Sequence, residues 1–354
     1  MFSQLAHLRP GTLAKTNQAI DKLTADQREL KRMAALLAEQ QRAFETATAD
    51  TAVQIQDLKE QLARISLRES QLRTVLESDV AQQRLIERLP PVLKEKRIAK
   101  IVQAAVDRAE LRLDPFPHMV VEDMFPRGFY KALVKGIPPL ELFEDNAVNH
   151  QQLRVPFALA PMFSRQVWKF MVEIADTILG PILTQKFRAP LEEWIVENWP
   201  QMANDPLGAP MSLHSTGGRI MLRRRGYNIP THRDPKWGFI TCLMYLARPG
   251  DLETWGTSLY DVDEDIEAPG VQPHWINAKN CRLVREVPFK ANSALVFLNS
   301  RGAHGASIPE DAEPADLERY AYQFRIGPTR DSIKALMEML PEARRPVWAG
   351  KFEG

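Results

Sequence analysis

The chain has 354 residues, 44% of them hydrophobic and 26% charged, with a formal net charge of +1. That is the profile of a soluble globular protein of two or three structural units, with no global field to draw nucleic acid or an anionic membrane. Two cysteines, Cys242 and Cys281, argue against a disulfide scaffold; with no signal-peptide pattern and no apolar run long enough to span a bilayer, the expected location is the cytoplasm.

The first ninety or so residues form a distinct region. From 17 to 88 there is neither glycine nor proline, and Ala, Leu, Gln, Glu, Arg and Lys dominate. Apolar residues recur at sevens as Leu23, Leu30, Leu37, Phe44, Leu58, Ile65 and Leu72, interrupted by Thr51. A second, patchier seam three residues earlier holds Ile20, Ala34, Ile55, Leu62 and Leu76. This imperfect heptad pattern predicts a coiled-coil or oligomerisation helix over 1–90, about 85 Å long between Ile20 and Leu76. Such a stripe needs a partner, either a second copy of the chain or, if the helix folds back near 46–52, the chain itself.

Pro90 and Pro91 end this helix, and a helical linker, 91–114, follows. Its basic cluster of Lys94, Lys96, Arg97 and Lys100 reads as a solvated face. From 115 the texture changes to mixed strand and helix. Residues 118–123 read as a strand and 127–134 as a short helix. Residues 164–200 carry apolar positions at three- and four-residue spacings, broken at Gly180-Pro181, with Trp168 and Trp194 expected in the core. Beyond 217 come strand-like runs at 219–223, 239–246, 294–298 and 319–326, separated by turn residues. Many short strands after helices predict an α+β fold. Its expected core is a double-stranded β-helix (jelly roll) with supporting helices, occupying 115–330. A C-terminal helix and tail take 331–354.

Within the strand-rich block lies Thr231-His232-Arg233-Asp234-Pro235. On an extended segment His232 and Asp234 point to the same side, because side chains alternate with period two. A second imidazole from a distant strand would complete a facial two-histidine, one-carboxylate set, the arrangement of non-haem Fe(II) oxygenases. Downstream, ALVFLNSRGAHGAS at 294–307 gives an apolar strand, a polar turn and His304, and a later strand opens with Arg319. An arginine there can grip a carboxylate with two parallel hydrogen bonds.

In order, the chain shows H-x-D, TCLMYL at 241–246, Trp255-Gly256-Thr257, a distal histidine and a strand arginine. This series resembles the prolyl-4-hydroxylase-like branch of the Fe(II)/2-oxoglutarate-dependent dioxygenases, over roughly 115–328. The resemblance implies a hydroxylase using Fe(II), 2-oxoglutarate and O2 and releasing succinate and CO2. It implies His232, Asp234 and His304 as iron ligands and Arg319 as the 2-oxoglutarate anchor, with Thr241 and Tyr227 beside the cosubstrate. Three departures stand out: an acidic, proline-containing loop lengthens the gap between His304 and Arg319. Arg325 shares a strand face with Arg319 and is a rival anchor. Trp255 stands where the family's turn has a glycine.

Arg223 and Arg225, taken as sharing one strand face, and Trp255 are the candidate substrate contacts; they point to a small-molecule or glycan-type substrate. The alternative is that Arg223–Arg225 form a solvated strand edge. Residues 251–275, acidic from Asp261 to Glu267, read as a loop over the site entrance. His214 and His274 receive no role, and Cys242 reads as a buried thiol. Two other readings fit the sequence: a coiled-coil scaffold with an inactive oxygenase-like domain, and a jelly-roll metalloenzyme that does not use 2-oxoglutarate.

Overall fold

The computed structural model describes residues 10–143, 160–216, 218–263 and 273–349. It divides into two units, residues 1–70 and 71–354. The division falls about twenty residues before the expected end of the coiled-coil region.

In the first unit the glycine-free stretch is a single helix, α1 (Pro10–Ile86), which continues past the boundary. No turn interrupts residues 46–52: the hydroxyls of Thr46, Thr48 and Thr51 each donate to the carbonyl four residues back, so the threonines are absorbed into the helix. The heptad residues Leu23, Leu30, Leu37, Phe44, Leu58 and Ile65 are all exposed.

In the second unit the last turns of α1 supply Leu85 and Ile86 to the edge of the core, and the Asp79 carboxylate accepts the N–H of Met162. The linker helix α2 (Glu95–Arg108) buries Ile98, Val102, Ala105 and Val106. It stops six residues short of the expected end at 114, because Ala109 turns extended and Arg112 pairs with His118. Next come β1 (His118–Val121), α3 (Arg127–Lys135) and α4 (Met162–Ile174). A π-turn at Ala175–Leu179 separates α4 from α5 (Gly180–Lys186), and α6 (Arg188–Asn198) follows. Trp168 is wholly buried, donating to the Gly136 carbonyl, with its ring tilted against Tyr322 at a centroid distance of 5.0 Å.

The strands are β2 (Leu213–Ser215), β3 (Arg219–Arg223), β4 (Asn228–Arg233), β5 (Ile240–Tyr245), β6 (Thr257–Val262), β7 (His274–Trp275), β8 (Cys281–Val287), β9 (Ser293–Leu298), β10 (Ala303–Ser307) and β11 (Arg319–Pro328). The helices α7 (Arg330–Met339) and α8 (Arg345–Trp348) close the chain. One sheet runs β1-β9-β5-β11-β2 with β3 also on β11; the other runs β7-β4-β10-β6-β8. All pairings are antiparallel. Two antiparallel sheets ordered this way make the expected jelly roll.

Period-two alternation explains what each face carries. On β5, Cys242 and Met244 pack toward the helices, whereas Leu243 and Tyr245 pack between the sheets. On β11, Tyr320, Tyr322, Phe324 and Ile326 join the helical core. Its opposite face holds Arg319, Ala321, Gln323 and Arg325. A central strand that presents three polar side chains to the interior is costly unless they serve a site.

Candidate metal centre

β4 and β10 pair with His232 directly opposite His304, which brings the ring centroids to 4.2 Å. Asp234 follows the end of β4. The ligand atoms of His232, Asp234 and His304 lie within 4.8 Å of one another, and all three residues are buried. A bulge between His304 and Ala306 leaves the histidine paired to β4 while the strand bends.

Two of the three ligand candidates are oriented by a neighbour through hydrogen bonds. His232 holds its Nδ1 on the Pro230 carbonyl at 2.8 Å, which assigns the proton to Nδ1 and leaves the Nε2 lone pair for a metal. Asp234 accepts the Thr241 hydroxyl at 2.7 Å on Oδ2 and the Arg325 guanidinium at 2.7 Å on Oδ1. Asn299 ties down the Asp234 and Pro235 carbonyls at 2.8 and 3.0 Å. Burial alone would raise the Asp234 pKa, but Arg325 and the two imidazoles hold it well below the usual carboxylate range. Burial, reinforced by His232, pushes His304 down to about 3, and burial also lowers His232. The cluster at neutral pH is therefore one carboxylate and two neutral imidazoles, the protonation state that binds a divalent metal.

A cavity opens on this cluster, lined by His232, Asp234, His304, Arg219, Met221, Arg223, Tyr227, Leu243, Phe297, Trp275, Gln323 and Arg325 among others. Tyr227 and Arg223 thus reach it. Thr241 lies beneath the cluster with its hydroxyl committed to Asp234. Arg319 lies deeper, opposite Arg223 in register and 1% exposed. Its Nη1 donates to the Leu252 carbonyl, and its guanidinium carbon sits 4.5 Å from the Phe289 ring and 5.6 Å from the Trp255 ring. Nε and Nη2 of Arg319 are buried without an acceptor.

Two expectations need correction. Arg225 does not share a face with Arg223: β3 ends at Arg223, Gly226 turns the chain at φ 75°, and Arg225 donates to the Glu310 carbonyl from an exposed position. Residues 251–275 are not a single loop, since 257–262 form β6 within the second sheet; 264–272, with most of the acidic run, lie outside the described residues. Trp255 packs on Arg319 and takes φ 55°, in the left-handed region that favours glycine. Gly256 is required beside it, because a Cβ there would lie 1.8 Å from the Val287 carbonyl oxygen. Arg219, Gln323, Asn299 and Trp275 were absent from the expected site. Strand parity with Arg223 and Arg325 marks the first two, whereas no local signal marks the others.

No family model matches the chain, and no curated protein does. Solved structures similar to it include a prolyl hydroxylase in complex with a hypoxia inducible factor oxygen degradation domain peptide fragment from Trichoplax adhaerens. It is 12% identical over 68% of this chain and 94% of that one, with a TM-score of 0.38. A Pseudomonas putida prolyl-4-hydroxylase is 13% identical over 64% and 99%, with a TM-score of 0.36. HygX from Streptomyces hygroscopicus, with nickel and 2-oxoglutarate bound, is 12% identical over 60% and 83%, with a TM-score of 0.35.

Proposed function

We propose that the second unit is an Fe(II)- and 2-oxoglutarate-dependent oxygenase that hydroxylates an organic substrate. The observation that carries this reading is the buried His232–Asp234–His304 cluster, three donors on one side of a cavity. Two neutral imidazoles and an ionised carboxylate suit Fe(II). The orphaned Nε and Nη2 of Arg319 suit a carboxylate that would satisfy them. When bound, iron and 2-oxoglutarate would supply oxidative chemistry with O2, yielding succinate and CO2.

The chain's own residues have separable tasks in this scheme. His232, Asp234 and His304 hold the metal. Thr241 and Arg325 fix the Asp234 carboxylate so that its oxygens do not rotate. Arg319 anchors the far carboxylate of the cosubstrate, with Tyr227 along the cavity wall. Arg325 is the weaker candidate for anchor, because its guanidinium is spent on the metal-binding carboxylate itself. Leu243, Phe297 and Met221 line the cavity with apolar surface and limit water around the reacting atoms.

Anaerobic titration of the full chain with Fe(II) and then 2-oxoglutarate is expected to develop a weak visible metal-to-ligand charge-transfer band. Absence of the band from folded, iron-loaded protein would sink the assignment in favour of a scaffold or a metalloenzyme without 2-oxoglutarate.

The first unit is proposed to associate with a second copy through its apolar heptad positions. Two buried aspartates in such a seam are strongly unfavourable. Leu37→Asp combined with Leu58→Asp is expected to convert an oligomer to a monomer in light scattering; an unchanged mass in both proteins would remove this role. Among the described residues no helix is long and apolar enough to cross a membrane. The free thiols of Cys242 and Cys281 suit the cytoplasm as the proposed location.

A further inference from the structure

The interior face of the first sheet carries more positive charge than the proposed reaction uses. β3 and β11 pair with Arg223 opposite Arg319 and Arg219 opposite Gln323, so their interior positions lie at matching depths. The cavity over the His232–Asp234–His304 cluster is lined by Arg223, Arg325 and the more exposed Arg219. Asp234 is the one carboxylate among its described lining residues. A divalent cation and a dianionic cosubstrate cancel one another, so loading the site gives Arg223 no counter-charge among the described residues.

The three arginines are not equivalent. Arg325 offsets Asp234 at 2.7 Å, and Arg219 donates to the Gln323 Oε1 at 2.9 and 3.2 Å. Arg223 is 8% exposed, and its Nε is buried without an acceptor. Its guanidinium carbon stands 4.9 Å over the Tyr227 ring. A cation over a ring is a small return for desolvating a guanidinium. Arg223 lines the cavity together with His232, Asp234 and His304. The same cavity carries apolar surface from Met221, Leu243, Phe297, Ile229 and Trp275.

We infer that the substrate is an anion, and that its carboxylate, phosphate or sulfate group is gripped by Arg223 while the carbon to be oxidised faces the His232–Asp234–His304 cluster. This rests on the oxygenase reading above and adds the substrate class. The planar fork of Arg223 matches two oxygens of such a group, and Tyr227 beneath it holds the fork in orientation. Arg319, one strand away and turned toward Leu252, Phe289 and Trp255, remains for the cosubstrate.

The test uses the full chain loaded anaerobically with Fe(II) and saturating 2-oxoglutarate, with inorganic sulfate as the oxyanion probe, read by calorimetry. Sulfate is expected to bind the wild type and to bind Arg223→Met at least tenfold more weakly, with Arg223→Lys between them. The 2-oxoglutarate midpoint, read from the charge-transfer band, is expected to move less than twofold in Arg223→Met. The inference is overturned if sulfate fails to bind the wild type, or binds wild type and Arg223→Met equally. It is also overturned if Arg223→Met loses 2-oxoglutarate binding, which would give Arg223 to the cosubstrate. A missing charge-transfer band removes the oxygenase reading, whereas the dependence of sulfate binding on Arg223 is scored by heat alone, so the two failures are distinguishable.

Discussion

Asp234→Asn is expected to lose iron-dependent turnover of 2-oxoglutarate by roughly a thousandfold, the loss of several kcal/mol of metal-derived stabilisation. The substitution keeps the shape of the side chain and removes the charge that a facial ligand set needs. It also removes the anion that faces Arg325 at 2.7 Å. Breaking a buried ion pair from one side costs about 3–5 kcal/mol, and the lower end applies because Arg325 keeps 19% of its side chain exposed. The apoprotein should therefore unfold at lower denaturant, by about 3 kcal/mol or less. Adding Arg325→Met removes the stranded cation and should restore much of that stability while leaving iron binding lost. The two sites touch, so their effects should be non-additive. Denaturant titration reads one effect and anaerobic iron titration the other. Wild-type iron affinity in Asp234→Asn would show that the carboxylate is no ligand.

What could be read before folding divides along local and non-local lines. The stripe from Leu23 to Ile65 was legible because a helix is a local structure, and the seven-residue spacing survives in the exposed face of α1. His232 and Asp234 were legible as a pair because extended backbone puts alternate residues on one side. His304 was legible only through the ordered motifs, since its place opposite His232 comes from the pairing of β10 with β4.

Depth along a strand was not legible. Parity put Arg319 and Arg325 on one face of β11, but six residues separate them by about 20 Å, at roughly 3.3 Å per residue. Register with β5 decides which lies beside the His232–Asp234–His304 cluster: Arg325 stands opposite Thr241, and Thr241 bonds Asp234. The end of a strand was equally hidden. Arg223-Arg224-Arg225 alternates like a strand on paper, yet Gly226 at φ 75° turns the chain and sends Arg225 outward. Within the acidic, turn-rich stretch 251–275, only pairing with β8 and β10 makes Thr257–Val262 a sheet strand. Trp255 at φ 55° lets the turn before β6 form without a second glycine beside Gly256, at the cost of a side chain in a conformation that glycine adopts freely.

Arg319→Met should separate the anchor from the fold more sharply than any other single change. Arg319 is 1% exposed and its Nε and Nη2 find no acceptor within the chain, so their desolvation counts against the fold. Methionine fills comparable space against Phe289 and Trp255 and has no such groups. Apo stability is therefore expected to be unchanged or raised, despite the loss of the Leu252 contact. Cosubstrate binding should fall steeply, because two charge-assisted hydrogen bonds contribute about 3 kcal/mol, or roughly a hundredfold in affinity. The protection that 2-oxoglutarate gives the metal-loaded protein against thermal unfolding should disappear at the same concentration. Retained protection in Arg319→Met together with its loss in Arg223→Met would move the anchor to β3 and withdraw the anionic-substrate inference. Loss in both would mean that the two guanidinium groups, opposite one another on neighbouring strands, close on a single carboxylate.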